Sequence, residues 1–596
     1  MNDDSPPIPP RPTPQRAGPE PSSDLAHITG AADPGADMAT LEAWEQRTLG
    51  QALERCVSLW GDRDLFHFAQ EGGYRRIRAA ELLHEVDRLA RGLLHLGVRA
   101  GEHIAVWLPN CFEFVVAEFA LAKIGARLVP INTRFKAGEL EFILRQSDST
   151  TLIFRPQQHH GESLRILLEV CPEWDVERGS GMRRRPLSGA VPHVRRVITV
   201  DGRVPGMLPY EQVLEHGSAP KREKQLQAEL ARRQNEVGPG DVSILQYTSG
   251  TAAFPKAAML AQGQTLRNAF QMAQRAGFGP NDRVLSALPM FHLGGSVCAL
   301  LGAVTTGHAL YLSASFDPAA TLRTIEQEKI TAYIGVESMF LALRADAGFS
   351  RRARASLSKG WYSGASTVLR MVAEEIGIRN ICSVYGLSEA GPDVSICAWN
   401  DPYDKRLQTM GRPQPGIELR IANPASGQTV RRGERGEICV RGWSVMKGYF
   451  NLPEETSQAI DAEGWLHTGD FGWMDAEGYL IWSGRLSDVL RVGGENVSAL
   501  EVENLLCSHK KVLAAAVVGI PDERMSEVPA AFVQLKPGEQ CTPEEITAFA
   551  GQRIASFKVP RLVRFVAQFE MTGSGKIQKY LLRDRLLAEL RSPSED

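Results

Sequence analysis

Apolar and polar positions fall into repeating blocks along most of the chain. Glu81 to Leu96 carries apolar residues at helical spacing and stops at Gly97. A short apolar run follows, His103 to Leu108, closed by Pro109-Asn110. A longer apolar helical stretch then reaches Ile124 and gives way to Ala126-Arg-Leu-Val-Pro130. Strand, helix, strand at this spacing predicts a βαβ unit in a parallel sheet. A second alternation of this kind covers residues 283–384. Residues 155–240 are polar and in places basic, as at Arg183-Arg-Arg185, and read as a loose peripheral region.

Between 410 and 482, short strands with Gly and Pro turns predict a small β-barrel. After Arg485 the order changes to strand (Val489 to Val492), helix (Ser498 to Cys507), strand (Leu513 to Ile520), strand (Pro529 to Leu535), helix (Pro543 to Ile554) and strand (Leu562 to Val566). That order predicts a smaller α+β unit. Residues 1 to about 38 are rich in Pro, Gly, Asp and Ser. Such a segment buries too little apolar surface to offset its ordering entropy, so it is expected to be disordered. The expected architecture is therefore α/β: an N-terminal extension (1–38), a large domain (39–485) of two parallel-type sheets with helices and a small barrel, and a small, mobile α+β domain (486–596).

Composition narrows the function. A chain of 596 residues exceeds one compact core. Its 67 basic and 70 acidic side chains leave a net charge of −3, which gives no reason for a nucleic-acid surface. Nine cysteines, an odd number with no CxxC pair, argue against a disulfide framework or a zinc site, and the expected compartment is the cytoplasm. The best apolar run, Phe114 to Ile131, is broken by Glu118, Lys123 and Arg127, so no integral membrane segment is expected. The N-terminus does not read as a secretory signal, and the final Ser-Pro-Ser-Glu-Asp is no peroxisomal address.

The first motif that carries chemistry is Tyr247-Thr-Ser-Gly-Thr251, followed by Pro255-Lys256, after the apolar strand Val242 to Leu245. Hydroxyls, a glycine and backbone N–H groups in a tight loop make an anion-binding nest. The loop lacks the GxxxxGK spacing of a Walker A motif. Further strings follow in order: Pro289-Met-Phe-His292, Ser363-Gly364-Ala365, Tyr385-Gly-Leu-Ser-Glu389, Gly411-Arg-Pro-Gln-Pro-Gly416, Trp465-Leu-His-Thr-Gly-Asp470, Gly484-Arg-Leu-Ser-Asp488, Gly493-Gly-Glu-Asn496 and Gly573-Ser-Gly-Lys-Ile577.

This ordered series resembles the core motifs of the adenylate-forming (AMP-binding) superfamily from about residue 45 to 590. Arg441-Gly-Trp-Ser-Val-Met-Lys-Gly-Tyr449 and the spacing look most like medium-chain fatty acyl-CoA synthetases. The resemblance implies an ATP-dependent acid–CoA ligase, with ATP, Mg²⁺, CoA and a carboxylic acid as its small-molecule partners. The acid, by default a medium-chain fatty acid, is activated as its acyl-AMP and passed to the thiol of CoA.

The resemblance also assigns roles. Lys576 matches the lysine that spans the acyl carboxylate and the phosphate, where two anions must be brought together. Glu389 matches the acid that helps hold Mg²⁺. Thr248, Ser249, Gly250, Thr251 and Lys256 would surround the phosphates. Tyr385, with Gly364, Ala365, Gly386 and Ser388 around it, would face the adenine. Asp470 and Arg485 would hold the ribose, His292 would gate the acyl pocket, and Gly494 would let the pantetheine arm of CoA pass.

The chain departs from the family pattern in three places. Where the phosphate loop usually reads Thr-Ser-Gly-Thr-Thr-Gly-x-Pro-Lys-Gly, Ala252, Ala253 and Ala257 replace a hydroxyl and two glycines, and Ala261-Gln262 stands for a Ser/Thr-His pair. The hinge position is Ser487 rather than Asp or Lys. Val336-Glu337-Ser338 replaces a Val-Pro-Thr string at the acyl pocket, and a carboxylate there disfavours a carboxylate substrate unless it turns away or meets a partner. Two other readings fit the same motifs: an acyl-AMP ligase serving a carrier protein, and a degenerate relative that binds nucleotide or acid with little turnover.

Overall fold

The computed structural model describes residues 25–31, 38–173, 188–220, 222–248, 255–364, 366–424, 426–485, 489–570, 577 and 579–591. Two sheets with parallel cores carry the larger part. The first has nine strands: Arg412–Pro413, Asp393–Ile396, Asn380–Gly386, Lys359–Ser363, Ala332–Val336, Arg283–Ser286, Ala309–Leu312, Asp64–Gln70 and Gly73–Arg78. Its six middle strands, from Asn380–Gly386 to Asp64–Gln70, run parallel, and its edge strands pair antiparallel. The second has seven strands in the order Lys256–Ala261, Val242–Thr248, Arg127–Pro130, His103–Trp107, Thr151–Phe154, Arg196–Thr199 and Leu208–Pro209. Parallel strands are covered on both faces, so they read as continuous apolar runs. His103–Trp107 is buried at every position.

The helix Phe112–Lys123 is buried everywhere except at Glu113. It packs on helices Leu49–Trp60 and Ala79–His95. Lys123 is matched there by Asp87 and Glu54 at 2.6 and 3.2 Å. Glu118 has no such relief. Among the described residues neither of its carboxylate oxygens has a partner, and burial pushes its pKa well above the usual range, which favours the neutral acid in the core.

Three expectations change. The "loose" region 155–240, where the sequence predicts a lysine- and glutamate-rich helix before Gly238, has that helix at Glu223–Glu236, but it also contains helices Glu162–Val170 and Tyr210–Gly217, and two of its strands extend the seven-stranded sheet. Arg183 to Arg185 lie outside the described residues. The expected barrel is a five-stranded antiparallel sheet, His27–Thr29, Ile417–Ala422, Gly436–Gly442, Leu466–Met474 and Leu480–Arg485. Its first strand belongs to the stretch expected to be disordered. His27–Thr29 pairs with Ile417–Ala422, and Ala26 beside it is fully buried. Backbone pairing to an existing edge orders a short segment that its own side chains could not.

The smaller part is a five-stranded sheet. Glu495–Ser498, Val489–Val492, Ser526–Leu535 and Val512–Asp522 are neighbours, and Leu562–Phe565 pairs with Ser526–Leu535. Helices Ala499–Cys507, Pro543–Gly551 and Lys579–Arg591 accompany it. The sequence reading lacked Glu495–Ser498 and the last helix. This part lies against the larger one through Lys558, only 3% exposed, whose Nζ is 2.7 Å from Glu139 of the large part and 2.6 Å from Glu501 of the small part.

Candidate active site

In open α/β sheets, ligands bind beyond the carboxyl ends of the strands, where the connecting loops diverge. A cavity of about 1610 Å³ opens there. It is lined by residues that directly follow parallel strands, among them Ala287, Glu337, Gly364 and Leu387, and by Gly493 and Gly494 of the small part. His292, Tyr385, Gly386 and Ser388 also line it.

Glu389 stands in the short turn after strand Asn380–Gly386. Its Oε1 accepts hydrogen bonds from the hydroxyls of Thr248 (3.2 Å) and Tyr449 (2.9 Å). The ammonium of Lys256 lies 5.1 Å from the centre of the Tyr449 ring. The end of the phosphate-loop strand, the acid and a lysine are thus brought together. Tyr449 completes the group, although nothing in the sequence pairs it with Glu389. Ser249, Gly250, Thr251, Ala252, Ala253, Ala365, Ser487 and Lys576 lie outside the described residues.

Tyr385 donates its hydroxyl to Oδ2 of Asp470 at 2.9 Å, and both residues are buried. The Asp470 backbone N–H donates to Thr468 Oγ1 at 3.0 Å. Asp470 and Arg485 are cross-strand partners on neighbouring strands. Gly386 is pressed against the next strand, where an added Cβ would lie 2.1 Å from the carbonyl oxygen of Pro392.

Gly493 and Gly494 form the two-residue turn between Val489–Val492 and Glu495–Ser498, with φ of +58° and +84°. Positive φ at both central residues is what a primed hairpin turn demands, and glycine meets it without strain. The turn reaches the large part: a Cβ on Gly494 would lie 2.8 Å from Val336 Cγ2. The next residue, Glu495, pairs its Oε2 with His292 Nε2 at 2.6 Å. Burial alone would push His292 down, but the Glu495 carboxylate outweighs it and raises the imidazole. Burial would raise Glu495, and the imidazole holds it below the usual carboxylate range. The sequence placed His292 in this site but did not single out Glu495.

The departures from the family pattern are accommodated where they are described. Ala257 is a fully buried residue inside the strand Lys256–Ala261. Gln262 is structural: its Oε1 accepts from Leu49 N at 2.8 Å and its Nε2 donates to Ala122 O. Glu337 accepts from Tyr362 Oη at 2.8 Å and from Ser526 Oγ of the small part at 3.4 Å, so its carboxylate is held by neutral donors.

This site, on this pair of sheets with a small α+β part above it, defines the class of adenylate-forming enzymes. The description "AMP-binding enzyme" matches residues 53–450, and "AMP-binding enzyme C-terminal domain" matches residues 501–576. The Bacillus subtilis protein YngI, whose name assigns it to the acyl-CoA synthetases, is 35% identical over 91% of this chain and 97% of its own length. The mitochondrial medium-chain acyl-CoA ligase ACSF2 of Danio rerio is 32% identical over 92% of this chain and 89% of its own. A double mutant of o-succinylbenzoate CoA synthetase from Bacillus subtilis, solved with a product analogue, superposes with a TM-score of 0.72 at 25% identity, over 90% of this chain and 98% of that one. The chain belongs to the AMP-binding enzyme family. Its reaction class is ATP-dependent, AMP-forming acid–CoA ligation. No helix among the described residues is long and apolar enough to cross a membrane.

Proposed function

We propose that the acid is a medium-chain fatty acid, as in the ACSF2 relatives, and that the residues brought together at the cavity perform its two half-reactions. The observation that supports this is their proximity: Tyr385, whose hydroxyl binds Asp470, and the Gly493-Gly494 turn line one cavity, and Glu389, held by Thr248 and Tyr449, directly follows the lining residue Ser388. In the first half-reaction the carboxylate attacks the α-phosphate of ATP and pyrophosphate leaves. Lys576 bridges the two anions, and Thr248 to Thr251 with Lys256 hold the phosphates. Asp470 and Arg485 hold the ribose. Tyr385, its hydroxyl tied to Asp470, presents its ring to the adenine beside Gly364, Ala365, Gly386 and Ser388.

Glu389 suits Mg²⁺, because two hydroxyls fix one carboxylate oxygen and leave the other to a cation. The metal would supply charge screening at the departing pyrophosphate. In the second half-reaction the thiol of CoA displaces AMP. The arrangement described, with Gly494 against Val336 and Glu495 on His292, is the one suited to that step. The turn and His292 both line the cavity, so the turn would border the pantetheine arm and His292 would gate the acyl group.

The test is acid-dependent ATP–pyrophosphate exchange across straight-chain acids, followed by thioester formation with CoA, with Lys576→Ala as control. Exchange that peaks at medium chain length and vanishes in the control is expected. Exchange without thioester would point to a carrier-protein acceptor. Folded protein that binds ATP but exchanges with no acid would overturn the reading and implicate Ala252 and Ala253.

A further inference from the structure

The cavity wall includes the buried apolar residues Leu288, Leu293, Trp361, Val384 and Met410. Asp393 interrupts it. This residue opens the strand Asp393–Ile396 and lines the cavity, and only 6% of it is exposed. Its backbone is fixed on both sides by Asn268, whose amide donates to Asp393 O at 2.7 Å and whose carbonyl accepts from Asp393 N at 3.4 Å. Its side chain has one partner among the described residues, the thiol of Cys298, which donates to Oδ2 at 3.2 Å. No lysine or arginine among the described residues pairs with it. Burial pushes this carboxyl up to about 7 and keeps the Cys298 thiol protonated.

A carboxyl group in an apolar wall is costly unless something pairs with it. A thiol is a weak donor and serves one of the two oxygens. Asp393 Oδ1 has no hydrogen-bond partner among the described residues, and the residue lines the cavity. The position is also deep. His292, at the head of the helical stretch that carries Cys298, is partly exposed, whereas Cys298 is buried. An acid whose carboxylate is activated near His292 therefore extends its tail toward Cys298 and Asp393.

We propose that Asp393 is a specificity-determining residue that accepts a hydrogen bond from a hydroxyl or amino group on the tail of the acid substrate. The inference rests on the acid–CoA ligase reading of this cavity and refines the fatty acid to one with a polar tail. A donor there completes the unfilled oxygen. An ammonium would in addition hold the carboxyl ionised, and a plain methyl end would leave it buried and unpaired. Sites that hydrogen-bond a substrate group reject analogues lacking it more strongly than apolar pockets reject an extra methylene.

The experiment compares octanoic acid with its terminal hydroxy and terminal amino derivatives, by kcat/KM for thioester formation and by calorimetric binding of the free acids. Wild type, Asp393→Asn and Asp393→Leu are each checked for an unchanged melting temperature. The expected result is a wild-type preference of about 10- to 100-fold for a donor-bearing acid over octanoate. Asp393→Leu should reverse it, and Asp393→Asn should keep the hydroxy acid while losing the amino acid. The near-isosteric Asn variant preserves the test if the Leu variant fails to fold. Wild-type protein that forms octanoyl thioester at least as well as either derivative, with a ratio unmoved by Asp393→Asn, overturns the inference and leaves the ligase reading intact. Binding that depends on Asp393 without any thioester supports the inference and overturns the ligase reading.

Discussion

Lys558 offers the sharpest separation of the two half-reactions. It is buried between Glu139 of the large part and Glu501 of the small part, at 2.7 and 2.6 Å, with the Phe135 ring 4.9 Å from its ammonium. Replacing it by Met keeps the stem's apolar packing and removes the charge. Two carboxylates are then left close together without the ammonium that lay between them. Breaking a buried pair in this way costs about 3–5 kcal/mol. Much of that penalty is relieved when the parts separate, because Glu139 and Glu501 regain water on opposite sides of the gap. The docking equilibrium should therefore shift by about two to three decades toward the undocked state.

Pyrophosphate exchange in Lys558→Met should stay within about threefold of wild type, while thioester formation falls by about 100-fold. Glu139→Gln leaves the Lys558–Glu501 pair intact and should lose only about tenfold in the thioester step. Adding Glu139→Gln and Glu501→Gln to Lys558→Met should recover much of the loss. Stopped-flow thioester formation from preformed adenylate measures the step directly. The reasoning is refuted if both half-reactions fall together, or if thioester formation in Lys558→Met is unchanged while the fold is retained.

Three further outcomes follow from the same geometry. The His292–Glu495 contact should be fully present below the ordinary histidine value of about 6.5 and be lost as pH rises through the raised value of His292. It should also be lost in acid as pH falls through the lowered value of Glu495. The thioester step should therefore decline on the alkaline side, and Glu495→Gln should flatten that limb of its pH profile. Tyr449→Phe removes one of the two hydroxyl bonds to Glu389 Oε1 and should raise the Mg²⁺ concentration needed for half-maximal exchange by about threefold to tenfold; a shift no larger than that of an unrelated surface Tyr→Phe would discount the contact. Burial raises Glu118 well above the usual carboxylate range when folded, whereas the unfolded chain releases its proton above about pH 4.5, so it costs more stability as pH rises. Glu118→Leu should stabilise by about 1–3 kcal/mol at pH 8 and by less at pH 5, read as melting temperatures; a lower melting temperature at both would refute this account.

The parts of the fold legible in the sequence are those where one strand or helix reports its own burial. His103–Trp107 and Phe112–Lys123 announce themselves as unbroken apolar runs because parallel strands and core helices are covered all round. Arg196–Thr199 did not, because only four residues long and preceded by Arg195, it takes its place from the neighbouring strand Thr151–Phe154. His27–Thr29 was hidden for a similar reason, with composition outweighing three residues that pair to a distant edge. At the site, motif residues such as Glu389, Tyr385 and Asp470 were visible as strings. Their partners were not: Tyr449 lies 60 residues from Glu389, and Glu495 lies 203 from His292. Such pairings are made by topology, and no local pattern encodes them. The loop with Ser249 to Ala253, and Lys576, lie outside the described residues, so their assigned roles rest on their motifs.

The strand His27–Thr29 has a practical meaning for anyone shortening the chain. The first helix begins at Met38, which makes that residue a natural place to cut. A cut there would strip the outermost strand from the five-stranded sheet and bare the backbone of Ile417–Ala422, along with the cover that Ala26 gives the core beneath. An unpaired edge of that kind invites another chain to pair with it. Poor yield or clumping of such a fragment would then report a missing sheet edge and say nothing about the enzyme's intrinsic stability. A boundary before Leu25, whose own bridge to Arg431 continues the same edge, would keep the sheet closed to strangers.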